Sequence, residues 1–372
     1  MPIIDVVATA ILTYAAHSIA ACGIALVAAR FIRLPQDRDV IWKAALVAPI
    51  VTAAVAMILS TSGVRSPFID LAHAARHISP TQLPGRRVQV RVIKEDGEPH
   101  VDRSFTDPVA SAISTGVVVI AILAFGVASA RLVIRRRRLA GAISDRRHIG
   151  ELALTDGGIA LVSSSCELQT PVAFNRTEIC LPDDVVREFS ESHRRSLIAH
   201  EVAHLERRDP AWFLATEVIA ALSAFQPLTA AVARAFRRDV ELICDEIAVR
   251  RTNDQHSLIS ALALLASPFD PRSSLHGAAT AYDGSPLVGR AERIASLRPD
   301  SVHAIERGPV LCAVAAALAI LCALPVVSAA PRLTDLPLNP ADAISNPHFK
   351  GAVNIDDRAT MNGIRRTVTV FR

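Results

Sequence analysis

Two histidines four residues apart, with a glutamate beside the first, stand in SLIAHEVAHLERRD, Ser196 to Asp209, and are the residues of this chain best suited to chemistry. On an α-helix such positions differ by about 40° of rotation and one turn of rise, so His200 and His204 can aim both imidazoles at one ion. Zinc suits two neutral imidazoles and a carboxylate, with one position left for water. Glu201 is then placed to take a proton from that water as it attacks a polarised peptide carbonyl, rather than to bind the metal. Alone, the pattern also suits an amphipathic helix with solvated histidines. HAARH, His73 to His77, has the same spacing without a neighbouring glutamate or a later acidic partner, and reads as surface.

A second segment completes the set. In RRDVELICDEIAVR, Arg237 to Arg250, Glu241 and Asp245 stand at i and i+4. Glu241 can be the third zinc ligand, and Asp245 can accept the outer N–H of a zinc-bound histidine, fixing its tautomer. Leu242, Ile243, Cys244, Ile247 and Ala248 crowd these acids, and carboxylates in an apolar setting need a cation or a partner. For stabilising the oxyanion, spacing offers His193, Arg237, Arg250 and Arg251 without selecting one.

Taken in order, HEVAHLERRD (200–209), FQPL (225–228) and ELICDEIAV (241–249), with PVAF and ICLP (171–182) more loosely, resemble the BlaR/MecR-type integral-membrane zinc metallopeptidases. These signal-transducing antirepressors share a gluzincin core with CAAX-protease and HtpX-like peptidases. The resemblance covers roughly residues 1–330. It implies one Zn2+ held by His200, His204 and Glu241, with Glu201 as the base and Asp245 behind a ligand. In the beta-lactam sensors a penicillin-binding domain with an SxxK serine follows the last span. Residues 331–372 contain no SxxK, so the expectation is a relative lacking that sensor domain.

The elements that must position these residues are read from hydropathy. The composition is 51% hydrophobic but only 4% aromatic, too apolar for an ordinary soluble protein. Residues 6–29, 44–63, 109–130 and 309–330 are each long and apolar enough to cross about 30 Å of hydrocarbon. No basic residue precedes the first run, so it is not a convincing signal peptide. Arg30, Arg33, Arg38 and Lys43 follow the first span, and Arg131 and Arg135 to Arg138 follow the third. This bias puts residues 30–43 and 135–308 in the cytoplasm, and the amino terminus, the 64–107 loop and the 331–372 tail outside a bacterial-type inner membrane. The net charge of +4 reflects largely these arginines, which suit anionic lipid rather than nucleic acid. The six cysteines form no CxxC pair, and the three in the cytoplasmic part are not expected to form disulfides.

The expected fold is therefore an α-helical membrane protein with four transmembrane helices and an inserted α+β gluzincin-like metallopeptidase domain. Strands are expected at 157–165, 170–174 and 177–182, with helices from Asp183 onward. Residues 211–225 contain Glu217 and are too short to span, so they read as a buried core helix, with a shallow membrane-embedded segment as the alternative. Residues 256–267 carry apolar side chains at helical spacing and read as core. The outer loop has a strand and turn at RRVQVRVIKEDGEPH, while the tail is too short to fold without help. The expected activity is endoproteolysis of a cytoplasmic protein, by family analogy a transcriptional repressor, the chain itself, or both, on an external signal. A non-proteolytic receptor or scaffold and a quality-control protease are the alternatives. Cutting inside the bilayer is excluded, because Arg194, Arg195, Glu206, Arg207 and Arg208 flank the motif and are costly in hydrocarbon.

Overall fold

A computed structural model describes residues 3–61, 68–71, 87–95, 98–106, 108–266, 284–297, 314–317, 319–321, 323–329, 352–360 and 363–371. His73 and His77 lie outside these residues. The chain divides into two compact units: residues 1–17, 50–123 and 320–372, and residues 18–49 with 124–319.

Three helices among the described residues are long and apolar enough to cross a membrane. They are α1 (Ile3–Ala28), α2 (Pro35–Thr61) and α3 (Pro108–Ala142). Each begins before its expected span; α1 and α2 stop one and two residues short of its expected end, and α3 runs past it. α2 begins at Pro35, whose fixed φ suits a first helical turn, and carries Pro49 internally. α3 continues through the arginine run to Ala142, so the boundary expected near residue 135 falls inside a helix. Many of the large apolar side chains on α1–α3 are exposed, as a lipid-facing surface requires.

The fourth expected span needs correction. Residues 314–317 and 319–321 are helical, but 323–324 turn and Val326–Ser328 form a strand, so no helix runs to residue 330. Pro325 explains the stop, since it lacks an N–H and drives the preceding residue out of the helical region.

The first unit also holds two sheets. β1 (Phe68–Asp70) pairs in parallel with β8 (Val326–Ser328). Thr9 and Thr13, one turn apart on α1, bind β8: Thr9 Oγ1 lies 2.9 Å from Ser328 Oγ, and Val327 N donates to Thr13 Oγ1 at 3.1 Å. The other sheet joins β2 (Arg87–Glu95) and β3 (Glu98–Thr106) from the expected outer loop to β9 (Ala352–Thr360) and β10 (Gly363–Phe371) from the tail. Its order is β3-β2-β10-β9, all neighbours antiparallel. The tail thus finds in the loop the partner that its length requires.

The second unit carries the α+β part. β4 (Arg147–Ala153), β5 (Ile159–Ser165), β6 (Val172–Phe174) and β7 (Glu178–Pro182) form a sheet of order β4-β5-β7-β6, in which β5 and β7 run parallel. The three expected strands are present, and β4 is an additional one. The helices that follow are α4 (Asp183–Glu188), α5 (Glu191–Glu206), α6 (Asp209–Leu222), α7 (Pro227–Thr252), α8 (Gln255–Ala266) and α9 (Gly284–Ser296). Leu154, Val162, Ile179 and Leu181 of the sheet region pack with Val202 and Leu205 of α5.

The largest departure concerns independence. An inner domain with its own core was expected from residue 135, yet the main core mixes Cys22 and Ala25 of α1 and Trp42 and Leu46 of α2 with Ala203 of α5, Ile219 of α6 and Phe236 of α7. The ends of α1 and α2 are thus built into the unit that carries HExxH. α6, expected from 211–225 as a buried core helix or a shallow membrane-embedded segment, buries Thr216, Ile219 and Ala221 and carries Leu214, Val218 and Leu222 as an exposed apolar stripe at four-residue spacing.

Phe236 is fully buried where these helices meet. Phe236→Ala is expected to cost about 3–5 kcal/mol through lost burial and a cavity, measurable as a lowered denaturation midpoint of the detergent-solubilised chain.

Candidate metal centre

Local signals set the two helices that matter. Ser190 caps α5, its hydroxyl accepting from His193 N at 3.3 Å. Gln226 caps α7, its side chain accepting from Thr229 N at 2.7 Å ahead of a run opened by Pro227. Between α5 and α6 Arg208 adopts the left-handed region at φ 60°, a conformation that costs a non-glycine residue of order 1 kcal/mol. That turn starts α6 at Asp209 and brings its carboxylate back beneath α5.

α5 and α7 bring the predicted ligands together. His200 Nε2 and His204 Nε2 are 3.2 Å apart, Glu241 Oε2 is 3.5 Å from His200 Nε2, and Glu241 Oε1 is 3.7 Å from His204 Nε2. Ligand atoms about 2.0–2.1 Å from a tetrahedral zinc ion lie about 3.3–3.4 Å from one another. The three donors thus converge as a shared ion requires. The histidines are buried, whereas the Glu241 side chain is one-third exposed and marks the open side. Glu201, also buried, follows His200 by about 100° around α5.

Each imidazole is backed by a carboxylate. Asp245 Oδ1 lies 3.0 Å from His200 Nδ1, the place its spacing predicts. Asp209 Oδ2 lies 3.0 Å from His204 Nδ1 and is fully buried. Asp209 was missed in the sequence although it ends the opening motif; its signal was the Asp-Pro pair that starts a helix. Arg290 on α9 was also missed. It holds Asp245 with two parallel bonds of 2.8 Å and places Nη1 3.2 Å from Glu241 Oε2. No local pattern could have found a residue so far along the chain.

Of the four residues considered for the oxyanion, the three arginines are paired with other carboxylates. Arg237 pairs with Glu217 at 2.7 Å, Arg251 with Glu206 at 2.6 Å and Arg250 with Glu246, while His193 meets the edge of Phe189. A further donor group, His204, Asp209 and Cys244, also lies within ligand distance. Burial pushes the Cys244 thiol well up, and Asp209 and Glu241 push it further, so it stands here as a neutral thiol, with Sγ 3.5 Å from Asp209 Oδ2 and 3.3 Å from His204 Nδ1. We read that group as the hydrogen-bonded support of His204.

The electrostatics are those of a site prepared for a cation. Burial alone would lower the His200 pKa, but Asp245 and Glu241 outweigh it and push it up to about 10. Burial works against the charged forms of both acids too, yet His200, His204 and Arg290 hold Glu241 well below the carboxylate range, and Arg290 and His200 keep Asp245 low. A ligating imidazole must be neutral, so metal uptake has to release the His200 proton. Zinc affinity is therefore expected to rise with pH across the range 6–8 and to keep rising towards about 10, where that proton leaves unaided. Competition with a chromophoric chelator at several pH values checks this, and proton release on zinc addition should accompany it.

A family model described as BlaR1 peptidase M56 matches residues 8–294, more than half of the chain. No curated protein matches it.

Proposed function

Because the chain belongs to the BlaR1 peptidase M56 family, a family of membrane-associated metallopeptidases, we propose that it is a zinc endopeptidase that cuts a cytoplasmic protein on an external signal. The observation that carries this reading is the convergence of His200, His204 and Glu241 beside Glu201. The three would hold zinc, which supplies Lewis-acid chemistry towards a peptide carbonyl when bound. Glu201 takes a proton from the attacking water and delivers it to the leaving amine. Asp245 and Asp209 fix the imidazoles from behind, and Arg290 offsets the charge of the two carboxylates on α7.

Cytoplasmic placement of the catalytic unit is supported by Arg136, which pairs with Glu217 at 2.6 Å and so keeps the arginine run of α3 beside the catalytic helices. The bias of basic residues then puts both on the inner side. The outer sheet supports an even number of crossings between residues 106 and 352, because β2 and β3 share it with β9 and β10. α3 supplies one crossing, and the apolar run within 309–330 is the natural second. Lipid contact is supported by the exposed apolar faces of α1–α3 and by the stripe on α6. A transcriptional repressor, the chain itself, or both remain the substrates proposed by family analogy.

Replacing Glu201 with Gln keeps shape and zinc but removes the base. Cleavage is expected to fall by about 10²–10⁴-fold at unchanged zinc content. Proteomic comparison of cells carrying the native and the Glu201→Gln chain should show one or two proteins shortened only with the native form. Equal cleavage by both would overturn the reading, and normal signalling by Glu201→Gln would favour a scaffold.

A further inference from the structure

The first two turns of α2 reach both helices that bear the candidate ligands. Arg38 Nη2 donates to Asp239 Oδ1 at 2.6 Å and Trp42 Nε1 donates to Asp239 Oδ2 at 2.7 Å. Asp239 is buried on α7, two residues before Glu241. On the other side Asp39 Oδ1 accepts from Arg207 Nη2 at 3.3 Å, and Arg207 Nε donates to Asp209 Oδ2 at 3.1 Å. That same Asp209 oxygen is the one 3.0 Å from His204 Nδ1. Lys43 Nζ secures the second oxygen of Asp39 at 2.8 Å. Residues 38, 39, 42 and 43 fall within an arc of roughly 140° on one face of the helix.

We infer that α2 is a positioning element for the metal centre, gripping the His204 side through Asp39–Arg207–Asp209 and the Glu241 side through Arg38 and Trp42 on Asp239. This rests on the reading of His204 and Glu241 as zinc ligands and adds how their relative placement is controlled. An ordinary interhelical ion pair ends on a surface. This chain ends on the ring nitrogen whose partner fixes the orientation and tautomer of a zinc-bound imidazole. Its carboxylates are under one-tenth exposed, with Arg207 19% exposed, so loosening the grip leaves buried carboxylates unpaired. Asp209 carries these contacts on one oxygen: Oδ2 serves Arg207 and His204 and receives the Cys244 thiol at 3.5 Å, so a change at Arg207 acts on the atom that faces the imidazole.

The test uses the full chain in lipid nanodiscs, with zinc affinity by chelator competition and the visible spectrum of the Co2+-loaded site as readouts. Asp39→Asn is expected to lower zinc affinity by about 10-fold, the low end of what partners of zinc-bound histidines command, and to shift the Co2+ bands; Asp39→Glu should restore both. Arg136→Gln, which breaks the Arg136–Glu217 pair without reaching a ligand, should move neither. Asp39→Asn and Asp209→Asn combined should lose little more than Asp209→Asn alone, since both cut one chain. If Asp39→Asn does not fold, Arg207→Lys serves instead, because one ammonium cannot replace the fork that spans Asp39 and Asp209. An affinity within twofold of native with an unchanged Co2+ spectrum, or losses that multiply in the double variant, would overturn the inference. His204→Ala separates it from the reading beneath: undiminished zinc binding there sinks the metal site itself, whereas loss there with none in Asp39→Asn sinks only the role of α2.

Discussion

The structure depends on balancing charge inside an apolar interior. His200, His204, Asp209, Asp239 and Asp245 are withdrawn from water among Ala203, Val240, Ile243 and Ala248. An ion transferred there without a partner costs several kcal/mol, so each must be answered by another group. Arg290 answers Asp245 and Glu241, Arg207 answers Asp209, and Arg38 with Trp42 answers Asp239. These partners come from α2, the turn after α5, and α9. Three separate stretches of chain are thus required before α5 and α7 can lie side by side, which is why the start of α2 is built into the same unit.

This requirement also explains how much the sequence disclosed. His200, His204, Glu241 and Asp245 were legible because they pair at i and i+4, a spacing that helical geometry converts directly into proximity. The strands at 157–182 were legible from β-branched runs between turn residues. Asp209 lay in plain view but was passed over, since a residue five positions on faces His204 only after the left-handed turn at Arg208 reverses the chain. Arg290, Asp39 and Trp42 carry no local signature. Their roles follow from tertiary packing of α9 and α2, which hydropathy and spacing do not encode. The fourth span was overdrawn for a related reason: a window average over 309–330 passes through Pro325, and the backbone does not.

The sheet formed by β2, β3, β9 and β10 has a temporal consequence. β10 is an inner strand, and more than 250 residues separate Thr106 from Gly363. The β2–β3 hairpin is therefore made early and must wait for β9 and β10, and a two-stranded hairpin alone is marginal in water. At roughly 5–20 residues per second of synthesis that wait lasts tens of seconds, during which α5 and α7 are already made. Completion of this four-stranded sheet therefore follows synthesis of α5 and α7, and a nascent chain holds both helices before the sheet is whole.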